Sequence, residues 1–421
     1  MLDKIKDFLK RPFFNSIIIL SGGALLAQII NFICSMIMTR EYTKEAIGYY
    51  SYILSIVTIF STVVNGRYDI LIVSVEDEKE LNSLIKISFY LAIIISFIVM
   101  VGVYIINIFY SNNFKDDKLI IYIFPLLAIY GVINILNSFN NKYGEYKRIS
   151  RAYFIRSISQ NILTIGLGLF NPNSFNLLMS QTIGLCFGIK YQAKILIHSI
   201  KQIRKISISE MKDVMKKYKI QPLVSVPASF INALSYSIIS LFVGNIFGMD
   251  ILAIYSISVK VLGIPLGIFS TNMAKVYFKE ANDEIIKMGN YKKSTLKMIM
   301  FSAILAVIMV IFLICFSPNI FRSLYGNEWY KTGIYIQLLS FMFGIRLVVG
   351  AVGFGFIIAN KQKLELLFQI ILLIGIIIIS SSTILFKWNI EVFLIVLSGT
   401  YSVIYLIELI EIIKCSKMRR R

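Results

Sequence analysis

Twelve long apolar runs divide this chain into two halves of six, and the second half echoes the first about 205 positions later. The best-matched stretch sets Ile47-Gly48-Tyr49-Tyr50-Ser51 against Leu252-Ala253-Ile254-Tyr255-Ser256, and in each half it opens the second run after a short polar turn. The runs fall at roughly 15–38, 46–66, 84–109, 119–140, 152–170, 174–198, 221–246, 251–273, 296–317, 332–358, 364–387 and 390–413. A bilayer asks for ~20 apolar residues per helical span, whereas barrel strands alternate over ~10. In hydrocarbon the backbone has to satisfy its own hydrogen bonds, which makes these runs helices. The expected fold is all-α and membrane-spanning, with about 12 transmembrane helices in two six-helix bundles. Residues 1–200 are the expected N-terminal bundle, 201–220 a cytoplasmic amphipathic linker and 221–421 the C-terminal bundle. Doubled six-helix units hold substrate near the midplane between their repeats, so the pattern points to passage across a membrane rather than chemistry in water.

Composition agrees. Hydrophobic residues make up 57% of the chain and charged residues 16%, with a mean hydropathy of +0.75, values of an integral membrane protein. The net charge of +20 is topological in origin. With both termini placed in the cytoplasm, Lys and Arg crowd the inside segments at 141–152, 190–220, 274–297 and 414–421. The outside loops keep Arg40, Lys44, Lys115, Lys118, Arg322, Lys331 and Lys387. That bias is the positive-inside rule, and no nucleic-acid partner is expected. The first run follows Lys4, Lys6, Lys10 and Arg11 but lacks a small-residue cleavage site, so it reads as a retained helix. Residues 1–12 and 201–219 are basic and amphipathic; in the second segment Met211, Val214, Met215 and Tyr218 share one face. The acidic patch Glu76, Asp77, Glu78 and Glu80 is out of keeping with an inside loop.

Enzymatic chemistry finds little support. Cys34, Cys186, Cys315 and Cys415 have no paired spacing, and the lone His198 lies at the inner end of the sixth run. There is no HExxH, no glycine-rich phosphate loop and no CxxC pair. The outside loops are too short to carry a sugar polymerase's catalytic groups. No metal, cofactor or catalytic residue is expected.

The informative polar groups lie inside the spans. Lys260 is near the middle of the eighth run and Arg346 near the middle of the tenth. A central charge costs roughly 2.5–3.5 kcal/mol on insertion scales. Neither run offers an acid: the eighth has none between Asp250 and Glu280, the tenth none between Glu328 and Glu365. A cation without a mate suits an anionic ligand such as a phosphate or an acidic sugar; backbone carbonyls or an acid from another span are the alternative. Polar stripes run along the first helix of each half: Gln28, Asn31, Ser35 and Thr39, then Ser225, Ser229, Asn232, Tyr236 and Ser240. Such a stripe faces water or another helix. Pro265 with Gly263 and Gly267 predicts a bend in the eighth run.

Short motifs add a resemblance. The turn Thr39-Arg40-Glu41-Tyr42, then Glu45-Ala46-Ile47-Gly48-Tyr49-Tyr50-Ser51, then Gly66-Arg67-Tyr68-Asp69 with an acidic loop resemble the polysaccharide repeat-unit flippases. These are the Wzx-type branch of the multidrug/oligosaccharidyl-lipid/polysaccharide exporter superfamily. The resemblance implies a MATE-like, V-shaped pair of bundles around a cationic cavity in the cytoplasmic (inner) membrane of a bacterium. It implies undecaprenyl-diphosphate-linked oligosaccharide as the passenger, membrane lipids as surroundings, a polysaccharide polymerase as protein partner, and a product such as capsule or O-antigen. It places Arg40, Arg67 and Lys260 on the pathway with Arg346, and Gln28, Asn31 and Asn232 complete the expected substrate-binding set. An ion-coupled multidrug exporter is the main alternative; those commonly carry an acid in the first helix, where this chain has Gln28 and Asn31. A membrane sugar polymerase and a peptidoglycan-precursor flippase, which usually has extra helices, are further alternatives.

Overall fold

The computed structural model describes residues 12–110 and 117–417, with side chains of the first helix described from Leu26. The expected amphipathic segment at 1–12 lies almost wholly outside them. Among the described residues every regular element is helical. The chain runs α1 (Pro12–Glu41), α2 (Lys44–Ser61), a 3-10 turn (Asp69–Val73), α3 (Glu78–Tyr110), a second 3-10 turn (Asp117–Tyr122), α4 (Ile123–Lys142), α5 (Tyr146–Phe170) and α6 (Ser174–Gln192). Two short helices follow, α7 (Leu196–Lys205) and α8 (Ile208–Lys217). Then come α9 (Ile220–Phe247), α10 (Met249–Pro265), a π-helical turn (Leu266–Ser270), α11 (Thr271–Met288), α12 (Lys292–Tyr325), α13 (Tyr330–Ala351), α14 (Gly355–Ile358), α15 (Gln362–Phe386) and α16 (Ile390–Lys417). A long helix stands at each of the twelve expected runs. Eight helical stretches among the described residues are long and apolar enough to cross a membrane. The first, second, fifth and sixth long helices fall outside that group.

The chain divides into two compact units, Met1–Ala233 and Leu234–Arg421. The division falls inside α9, six residues past Pro227. In unit 1, α5 packs along both α1 and α6, and α4 packs on α3 and α6. Small residues permit this closeness. A Cβ added to Gly184 would lie 2.6 Å from the Gln160 Cα, and one added to Gly188 would lie 2.7 Å from the Ala152 carbonyl oxygen. Spaced four apart on α6, the two glycines let the α5 backbone seat directly on it. In unit 2, α13 is the enclosed helix, packed on α10, α12 and α16. Where the sequence leads one to expect a bend, Pro265 cannot donate to the helix ladder, and a π-helical turn follows it at once. Ser270, closing that turn, donates to the Leu347 carbonyl at 2.7 Å.

α2 begins at Thr43, whose hydroxyl accepts from the Ala46 amide at 3.2 Å. It ends where Gly66 (φ 60°) and Arg67 (φ 61°) turn the backbone left-handed, a strained state for an arginine. Asn65 holds the break by donating to the Ser88 and Gly131 carbonyls, each at 3.1 Å. One acid of the patch, Glu80, has a reason: with its neighbour Lys79 it docks the linker. Lys79 pairs with Glu210 at 2.7 Å, Lys217 pairs with Glu80, and Tyr218 donates to Glu80 at 3.0 Å. Behind the charges, Val214, Met211 and Tyr218 pack on Tyr68, Ile72, Leu81 and Leu84. Met215, expected on that face, is exposed instead.

Candidate functional site

Arg346 sits on α13, the helix most surrounded by others in unit 2, so its side chain cannot escape to a bilayer surface. Four tyrosines from three neighbouring helices act on it electrostatically: Tyr236 (α9), Tyr255 (α10), Tyr401 and Tyr405 (α16). The guanidinium carbon lies 4.0 Å from the Tyr236 ring centroid and 5.6 Å from that of Phe343. Contacts of this kind are worth about 0.5–2 kcal/mol, less than the insertion cost of a central charge. Tyr401 is held by hydrogen bonds to the Ser235 and Leu372 carbonyls at 3.0 and 3.2 Å. Its ring meets Tyr405 edge-on, with centroids 6.1 Å apart. The Tyr405 hydroxyl is buried and has no hydrogen-bond partner of good geometry.

No carboxylate forms an ion pair with Arg346 among the described residues. Ion pairs there include Lys79–Glu210, Arg148–Glu145, Lys217–Glu80, Lys297–Glu280 and Lys414–Glu411. Glu408, one turn beyond Tyr405, is buried and lies within electrostatic reach of another carboxyl, Glu365, which repels it. Arg346 keeps part of its surface accessible while protein surrounds it. The result is a fixed positive charge, an aromatic face and a spare hydroxyl, which is chemistry for an anion.

Unit 1 has a polar centre of different character. Tyr50 donates to Gln181 Oε1 at 2.9 Å, and Gln160 donates to the same oxygen. Gln181 reaches Tyr130 Oη at 3.5 Å. Asn31 Oδ1 accepts from Ser157 at 2.9 Å and from Asn161 at 2.6 Å. Deeper still, Arg156 donates to Gln192, which donates to Asn137 at 2.6 Å. Arg156 is 6% exposed, and its Nε has no partner.

Lys260 is exposed on α10, five residues beyond Tyr255. Asn232 is exposed on α9, and Arg40 is exposed at the end of α1. Arg67 is half-buried at its strained turn, its Nε buried and unpartnered. Gln28 is half-buried with its Oε1 unpartnered, and Asn31 bonds to α5 as above. Sequence reasoning missed Arg156, Tyr255, Tyr401 and Tyr405. Two signals were available: Tyr255 is the repeat counterpart of Tyr50, and Tyr401 and Tyr405 stand four apart on one helix face. Arg156 was hidden by its basic neighbours Arg148 and Arg151. No group of three or more His, Cys, Asp or Glu that could hold a metal occurs among the described residues.

The family described as polysaccharide biosynthesis protein matches residues 37–334. The chain belongs to that family. A polysaccharide biosynthesis protein that it resembles is the capsular polysaccharide biosynthesis protein CapF of Staphylococcus aureus, 24% identical over 375 residues, covering 85% of this chain and 88% of that one. Among solved structures, the lipid II flippase MurJ in an inward closed conformation aligns with a TM-score of 0.71 at 15% identity, over 94% of this chain and 87% of its own. An inward-facing multidrug resistance MATE family transporter aligns with a TM-score of 0.61 at 12% identity, over 96% and 100%. At such identities the likeness is one of fold, and it makes this polysaccharide biosynthesis protein a multi-pass membrane protein of MATE-like architecture.

Proposed function

We propose that this chain is a flippase that moves undecaprenyl-diphosphate-linked oligosaccharide repeat units across the bacterial cytoplasmic membrane by alternating access, without hydrolysing them. The observation that carries the reading is Arg346: an acid-free guanidinium inside a membrane helix, boxed by Tyr236, Tyr255, Tyr401 and Tyr405. A diphosphate reaching it gains a charge-assisted contact in a low-dielectric setting and offers an acceptor to the Tyr405 hydroxyl. The polyprenyl chain stays in the bilayer, since withdrawing it would cost ~0.8 kcal/mol per methylene. Preference for the loaded or the empty form then shifts the population between conformations open to either side. The family, a capsule-biosynthesis relative and the fold shared with a lipid II flippase support this reading. Lys260, Arg67 and Arg40 extend the cationic path in this proposal; Gln28, Asn31 and Asn232 offer it polar contacts. A polysaccharide polymerase is the proposed downstream partner.

The test is glycan export. Lys260→Gln with Arg346→Gln is expected to lower surface polysaccharide at unchanged membrane protein level. Full export by that double variant contradicts the cationic site.

A further inference from the structure

Beyond the anion site, we propose that unit 1 holds a subsite for the uncharged, hydroxyl-rich part of the passenger, formed by Tyr50, Tyr130, Gln160 and Gln181. It rests on the flippase reading and says which part of the ligand each unit recognises.

A donor and acceptor count carries the assignment. The Gln181 carboxamide is well committed: its oxygen accepts from Tyr50 and Gln160, and its nitrogen donates to Tyr130. Its partners are not. Gln160 keeps its own Oε1 and Tyr130 keeps its hydroxyl proton, while Tyr50, which donates to Gln181, also accepts from Gln160. Asn161 keeps its Oδ1 after donating to Asn31 and to the Ser157 carbonyl. Tyr50 and Tyr130 are surrounded by protein yet half-buried rather than sealed, as are Gln160 and Asn161. Side chains that only glued helices together would be closed off from any ligand, as Asn140 is, fully buried and donating to the Leu136 and Gln192 carbonyls.

The spare groups are neutral, mix donors with acceptors, and stand beside aromatic rings. That set matches hydroxyls on a sugar ring better than a phosphate, which wants several donors and charge. Arg156, one turn from Gln160, acts electrostatically on Tyr130, but it is 6% exposed and bonded to Gln192, so it offers a ligand no direct contact. The internal repeat adds an independent pointer. Tyr50 and Tyr255 are equivalent positions; the first enters the neutral network and the second the Arg346 box. One ancestral tyrosine position thus faces a polar centre in each unit, with opposite chemistry beside it.

The test compares two ligands on purified protein in lipid nanodiscs. One is the pool of polyprenyl-diphosphoryl oligosaccharides extracted from the cells that make this chain, the other polyprenyl diphosphate itself. Tyr50→Phe and Gln160→Met, made separately because each preserves side-chain volume, are expected to weaken the glycan-bearing ligand roughly fivefold to tenfold. The bare diphosphate should bind as before, and Arg346→Gln should weaken both. Equal losses for the two ligands, no loss for either, or a wild type that binds both with the same affinity would overturn the subsite. A wild type that binds neither ligand would defeat the flippase reading and the subsite with it.

Discussion

At Arg346 a single charged side chain stands inside a membrane helix. Its charge was visible in the sequence because the tenth run carries no acid near it, and the structure adds that, among the described residues, no acid from another helix forms an ion pair with it. What stayed hidden was the tyrosine box, since four rings from three helices converge only in the folded unit. Arg346→Lys keeps the charge but loses the flat face that lies on Tyr236. We expect binding of polyprenyl diphosphate intermediate between wild type and Arg346→Gln, the latter roughly tenfold or more below wild type. Lys260 was legible in the same way, and the fold leaves it exposed on α10, because burial depends on neighbours that periodicity does not name.

Among the elements, α6 shows how small residues place large polar ones. Gly184 brings α6 onto α5 at Gln160, and so brings Gln160 to Gln181. Gly184→Val is expected to cost about 1–3 kcal/mol through overpacking, read as a lower melting temperature in detergent. The linker makes a second case. Its amphipathic face was legible from the spacing of Met211, Val214 and Tyr218, whereas Glu80, the acid that receives it, looked misplaced until α3 and α8 met. Glu80→Lys should speed proteolysis around α8, and adding Lys217→Glu should restore much of the protection; high salt should mimic the single variant, since these charges are exposed. The hydrogen bond from Lys79, with those from Ser207, holds the Glu210 carboxyl down to about 2. A carboxyl depressed in the folded state favours docking above its ordinary range and loses that effect as pH falls through its folded value. Protection of α8 against proteolysis should therefore persist from neutral pH through mild acid, and this pair's part in it should fade toward pH ~2.

For the whole molecule, the all-helical membrane fold and the family were legible because a bilayer leaves a chain few choices. The break in regular α-helix after Pro265 is in keeping with proline chemistry. The division of the contacts within α9 was not legible, since nothing in a continuous apolar helix marks where its packing partners change. Each unit has its own polar centre, built mainly on amides and hydroxyls in one and on Arg346 in the other, and under the proposed function a charged, glycosylated lipid uses both. The direct test is equilibrium binding of polyprenyl diphosphate to purified wild type and Arg346→Gln in nanodiscs. The account predicts saturable binding by the wild type and its loss, by roughly tenfold or more, in the variant at unchanged melting temperature. Equal affinity in the two proteins would contradict it.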